Sequence, residues 1–199
     1  MKAVSFLVLA LAVAASVTIA RAGESYRIVP DRSNISFGVH QFLGVTKGKF
    51  ARFSGTIEVD REHPERSSVK AQIQVRSIDT GIRKRDDHLC SAEFFDAAKY
   101  PQITFTSRSV KQTGQNSGDI LGDLTMHGVP RPITLHVKLL TPLSEGQLPA
   151  QTRWSVTVDP IKRREFGLLF SGTAEAVSGI GQDVTAEMTI EAKRGDQAQ

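Results

Sequence analysis

Arg85, Asp86 and His88 stand close together in the run Lys84-Arg85-Asp86-Asp87-His88. A guanidinium, a carboxylate and an imidazole at this spacing can meet a polar headgroup, or pair with one another around a helix cap. Arg164, in Lys162-Arg163-Arg164-Glu165, is a second candidate for an anionic headgroup. An arginine pair of that kind more commonly forms a solvated face. Catalytic chemistry finds little support. The histidines His40, His63, His88, His127 and His136 are spread along the chain, and no HExxH, CxxC or GxSxG pattern occurs. Asp86, Asp87 and His88 with His127 make a poor metal set, because adjacent residues of one short helix rarely converge on one ion. Cys90 reads as a packed thiol. The expectation is a protein without catalytic residues, metal or cofactor. A small enzyme or metal protein using Arg85, Asp86 and His88 stands as the contrary hypothesis.

The elements that must position these residues are strands. Apolar residues alternate with polar ones in about eight runs, among them Ile35-Phe37-Val39, Val69-Ala71-Ile73-Val75, Ile133-Leu135-Val137-Leu139 and Val184-Ala186-Met188-Ile190. The other runs centre on Phe53 to Val59, Ile103 to Phe105, Ile120 to Met126 and Trp154 to Val158. Turn residues separate several of them, at Gly114 to Gly118, Gly128-Val129-Pro130 and Ser144 to Pro149. A single antiparallel sheet of this size closes on itself or folds into two layers. Closure removes exposed edges, and Gly38, Gly55 and Gly122 inside strands fit the bends of a barrel. The fold class expected is all-β: an antiparallel eight-stranded barrel with one or two short helical segments over its mouth.

Two stretches break the alternation. Lys84 to Lys99 reads as helical, capped by Asp86 or Asp87, with Leu89, Ala92 and Phe95 on one side. Ile161 to Ser171 again mixes charges with apolar side chains. Both are candidate flaps. Phe94 and Phe95 are then a plug beneath a helix or part of a gate.

The chain ends and the composition bound the setting. Val4 to Ala20 is apolar behind Lys2, and Ala20-Arg21-Ala22 has the form of a cleavage site. Residues 1–22 are therefore expected to be a signal peptide, residues 23–199 one domain, and the compartment the periplasm. Subtracting Lys2 and Arg21 from the formal +4 leaves about +2, too little to argue for nucleic acid. With one cysteine there is no internal disulfide framework, and the core alone must stabilise the fold.

Ordered motifs give a more specific reading. They are Tyr26-Arg27-Ile28-Val29-Pro30-Asp31, Gly48-x-Phe50-x-x-Phe53-Ser54-Gly55, Ser77-Ile78-Asp79-Thr80-Gly81 and Arg85-Asp86-x-His88-Leu89, then Phe94-Phe95-Asp96, Tyr100-Pro101-x-Ile103-x-Phe105, Gly122-x-Leu124-Thr125-x-x-Gly128-Val129 and Arg164-x-Phe166-Gly167. The set resembles the YceI-like family of bacterial polyisoprenoid-binding proteins with a lipocalin-like barrel. Cys90 and Pro130 depart from the pattern, where a basic residue and a threonine are usual. The resemblance implies a periplasmic carrier of an isoprenoid or isoprenoid quinone, or of another long-chain lipid such as a fatty acid or amide. It implies only transient membrane contact during ligand exchange, and a homodimer is compatible with it. A packed barrel acting through a protein partner in envelope stress is the alternative. Candidate cavity walls are Phe37, Phe53, Ile73, Phe105, Met126, Leu135 and Trp154 from the strands. Phe94, Phe95, Phe166 and Phe170 join them from the two interrupting segments. Each of these side chains serves equally well as plain core packing.

Overall fold

The computed structural model describes residues 23–42, 44–142, 149–170 and 179–195. The expected signal peptide, most of the Ser144–Pro149 turn and Ser171 lie outside these residues. Among these residues, twelve strand segments are joined by one helix, α1 (Arg83–Cys90), and four short 3-10 turns. The strands are β1 (Glu24–Ile28), β2 (Asn34–Gln41), β3 (Gly44–Phe50), β4 (Phe53–Val59), β5 (Ser68–Gln74) and β6 (Ile78–Asp79). They continue with β7 (Gln102–Gly114), β8 (Ser117–Met126), β9 (Val129–Leu139), β10 (Gln151–Val158), β11 (Ile161–Lys162) and β12 (Asp183–Arg194).

Eight of the segments close an antiparallel barrel. The path runs β1-β4-β5-β7-β8-β9-β10-β12 and returns to β1 through Tyr26↔Arg194 and Ile28↔Ala192. The long strand β12 has two partners on one edge. Its C-terminal part pairs with β1, and Val184 to Thr189 pair with β2. β1 and β2 are thus one long strand interrupted at Pro30–Arg32, where a proline that cannot donate to the ladder starts a 3-10 turn. β3 and β4 form the returning arm of the same hairpin. β4 joins β5, whereas β3 joins the two-residue β6.

β1, β3, β6 and β11 go beyond the alternating runs. β3 escapes the period-two signal because Thr46 and Gly48 stand among its inward positions with Phe50. Gly48 is small for a reason: a Cβ there would lie 2.3 Å from the Phe37 ring. Gly122 does the same for Phe105, at 2.5 Å. The β8–β9 connection is a two-residue loop with positive φ at His127 and Gly128, the geometry of a tight hairpin.

The helix is shorter than the sequence predicts. α1 ends at Cys90, because the Ser91 hydroxyl donates to the His88 carbonyl and Ser91 turns extended. Residues beyond it form turns, with Asp96 at φ 46°. Asp86 does not cap α1. Ile82 holds the cap position, while the Asp86 carboxylate reaches back to the Thr80 amide at 3.0 Å and hydroxyl at 2.6 Å. Ala92 is exposed, so only Leu89 and Phe95 of the expected face are buried.

Candidate functional site: a cavity along the barrel

Inward side chains of the barrel strands leave an elongated cavity of about 970 Å³. This is at the upper end of the range of roughly 300–1,000 Å³ for small-molecule sites. Its wall reaches both ends of the barrel. At the helix end it includes Gln41, Lys84, Arg85, His88 and Ile180; at the other it includes Asp60, Arg61, Gln112 and Asn116. Between them the wall is almost wholly Ile, Val, Leu, Met and aromatic. Such a surface rewards an apolar guest in proportion to area, about 0.8 kcal/mol per buried methylene.

Of the expected wall residues, Phe37, Phe53, Ile73, Phe94, Phe95, Phe105, Met126, Leu135, Trp154 and Phe170 line this space. Phe166 does not. It is buried in the core cluster, in the 3-10 turn Arg163–Phe166, with its carbonyl 3.2 Å from His127 Nδ1.

Aromatic rings cover the helix end. Phe94 stacks on Phe170 at 4.4 Å between centroids and meets Phe95 edge-on at 5.1 Å. His88 lies edge-on to Phe170 at 6.3 Å and within 2.9 Å of Glu93. Both interrupting segments therefore contribute to one cluster.

The polar residues divide. Arg85 and His88 belong to the wall. Arg85 is held by Thr80, through Nε to Oγ1 at 2.7 Å and Nη2 to the carbonyl at 2.8 Å. Asp86 is taken up by Thr80 and faces away from the cavity, and Arg164 is exposed outside it. Arg163, expected on a solvated face, is 2% exposed and lines the cavity instead. It donates from Nε to Gly181 O, Nη1 to Leu168 O and Nη2 to Ile180 O, and its guanidinium lies 5.2 Å from the Phe170 ring. Carbonyl acceptors and a ring face compensate a buried cation that sequence parity could not reveal.

The far end holds a second polar group that the sequence reading missed. Tyr26 is buried and donates to Glu24 Oε2 at 2.6 Å, while Arg194 pairs with Glu24 at 2.7 Å. Burial, then the acceptor Glu24, pushes the Tyr26 phenol up to about 12. The signal was present as Glu24, Tyr26 and Ile28 on one strand parity. Nearby, Trp154 Nε1 donates to Thr152 Oγ1 at 3.0 Å.

Metal and thiol chemistry find no constellation in the described residues. His127 meets Tyr100 edge-on at 4.7 Å, and no group of three His, Cys, Asp or Glu side chains among the described residues converges as a metal site. Burial pushes the Cys90 thiol up, which disfavours the thiolate.

A family model described as a YceI-like domain matches residues 26–192. The protein YceI of Escherichia coli is 48% identical over 93 residues, covering 47% of this chain and 48% of that protein. The chain thus spans about half the length of the curated relatives it matches. Among solved structures, BcnA of Burkholderia cenocepacia is 25% identical with a TM-score of 0.74, covering 83% of this chain and 99% of that one. A polyisoprenoid-binding domain from Saccharophagus degradans, implicated in plant cell wall breakdown, has a TM-score of 0.62 at 19% identity. It covers 86% of this chain and 99% of its own, and at that identity the likeness bears on fold.

Proposed function

The chain belongs to the YceI-like domain family, and on that premise we propose that it binds and carries a long-chain lipid of isoprenoid type in the periplasm, without covalent chemistry. The observation that carries this reading is the apolar cavity of about 970 Å³ running along the barrel. A barrel packed solid by its own side chains would have no such space. A chain-like guest suits it better than a compact one, because the wall is long, apolar and polar only near its ends. Arg85 and His88 stand where the headgroup of a lipid entering tail-first would come to rest. The likeness to a polyisoprenoid-binding domain supports the barrel fold in which such a guest would lie. The signal-like residues 1–22 are what supports the periplasmic part of this reading.

Native mass spectrometry of protein purified from its own envelope fraction, followed by organic extraction, tests the reading. The expected result is a discrete adduct that releases an isoprenoid-type molecule. A fatty acid or amide in its place would keep the carrier and change the ligand. A bare polypeptide, unchanged after mixing with isoprenoid quinones and fatty acids, would overturn it. Cleavage after Ala22 is checked by the mass of the mature chain.

A further inference from the structure

The helix end of the barrel carries apolar side chains that face solvent around the cavity. Phe42 is 74% exposed, Ile82 52% and Leu169 52%. They come from three separate elements, the β2–β3 tip, the start of α1 and the turn after Arg163–Phe166. Contacts bring these elements to one rim. The Phe42 ring lies against Gly179, where a Cβ would stand 2.5 Å from it, and Gly181 N–H donates to His40 O at 2.8 Å. Arg163 Nε donates to Gly181 O, and Nη1 to Leu168 O. Leu169 separates Leu168 and Phe170, which both line the cavity, and Phe170 stacks on Phe94 beside α1. Ile82 is itself part of the wall.

Cations flank each of the three. Lys47 follows the β2–β3 tip, Arg83 and Lys84 follow Ile82, and Lys162 precedes the Leu169 turn, all exposed. Several carboxylates of this end are engaged: Asp86 with Thr80, Asp79 with Lys49, Glu93 with His88 and Asp159 with His136. Asp87, Glu165 and Asp183 are exposed among the cations.

We infer that this rim is a docking surface for an anionic phospholipid bilayer, which seats the cavity mouth on the membrane. The inference deepens the lipid-carrier reading and rests on it. Apolar side chains at a protein surface insert at the headgroup boundary, while neighbouring lysines and arginines keep their charge at phosphate level. Each cation adds attraction to anionic lipid that salt screens. A lipid then moves between bilayer and cavity without its tail crossing water. Two other exposed leucines, Leu121 on β8 and Leu140 beyond β9 at the far end, lie off this rim and serve as controls.

The test is flotation of the full mature protein with vesicles of phosphatidylethanolamine and phosphatidylglycerol. Phe42→Asp with Leu169→Asp is expected to weaken binding at least about tenfold, since each removes a side chain able to bury apolar area. Leu121→Asp with Leu140→Asp is expected to bind as the parent does. Arg83→Gln with Lys84→Gln is expected to flatten the salt dependence. Uptake of a hydrophobic fluorophore, together with circular dichroism, verifies that each variant is folded with its cavity intact. Equal flotation of parent and rim variant, or equal loss in the control variant, overturns the docking surface. Flotation with no fluorophore uptake would instead remove the carrier reading and leave the rim standing, so the two failures are distinguishable.

Discussion

Gly122 and Gly48 both face the barrel interior opposite an aromatic ring, yet an added methyl group meets different obstacles. At Gly122 a Cβ would stand 2.5 Å from both the Phe105 ring and the Thr106 carbonyl, which is backbone. Gly122→Ala is expected to cost about 1–3 kcal/mol in chemical denaturation, because overpacking here has no soft partner. At Gly48 the near atoms all belong to the Phe37 ring, which can swing into the cavity. Gly48→Ala should therefore leave stability closer to the parent and reduce fluorophore uptake; a reversed order of the two variants would refute this account. Tyr26 supplies a pH dependence. Its folded-state value, about 12, lies above the ordinary phenol value of about 10. The folded state thus holds the proton more tightly. The stability this contributes is complete below about pH 10 and is lost as pH climbs through about 12. Thermal melts across that window should fall more steeply for the parent than for Tyr26→Phe, and parallel curves would assign the loss to other groups. The strand parity of Tyr26 and the place of Gly122 inside a strand were legible in the sequence, but the ring and carbonyl that crowd Gly122 and the carboxylate that holds Tyr26 became visible only once the strands paired.

At the scale of elements, α1 and the turn following β11 act together. Asp86 fastens the start of α1 to Thr80, and Arg85 fastens the same residue from the other side. Asp86→Asn removes a charge-assisted bond and should cost about 2 kcal/mol, measured by urea unfolding. Phe166 and Leu135 separate structure from cavity. Phe166→Ala should cost about 3–5 kcal/mol, since it empties a packed site, while the folded fraction keeps its fluorophore uptake. Lost uptake in the folded fraction would place that ring functionally at the wall. The sequence marked both segments as departures from the strand pattern, and two adjacent phenylalanines required an apolar surface beneath them. It did not mark where the helix stops. That depends on a Ser91 hydroxyl competing for a helical carbonyl, which local propensity does not encode strongly.

At the scale of the whole molecule, the barrel encloses apolar space that strand pairing alone would not require. Leu135→Glu places a carboxylate on the wall between the two ends, with no partner to offset its desolvation. The variant is expected to stay folded and to lose lipid on extraction; unchanged lipid content would move the ligand away from this stretch. The all-β class and the inward parity of the main runs are written in the alternation of the chain. Breaks in that alternation also identified the two segments that cover the helix end, because period-two burial and turn chemistry are local. It took strand pairing in three dimensions to make β1 with β2, and β3 with β4, two long strands sharing the edge of β12 and the barrel wall. Only the tertiary structure turned Phe166 and Arg164 away from the cavity, buried Arg163 against Phe170, and assembled Glu24, Tyr26 and Arg194 at the far end. Those outcomes depend on which distant residues meet once the sheet closes, and closure is set by register between strands far apart in the chain.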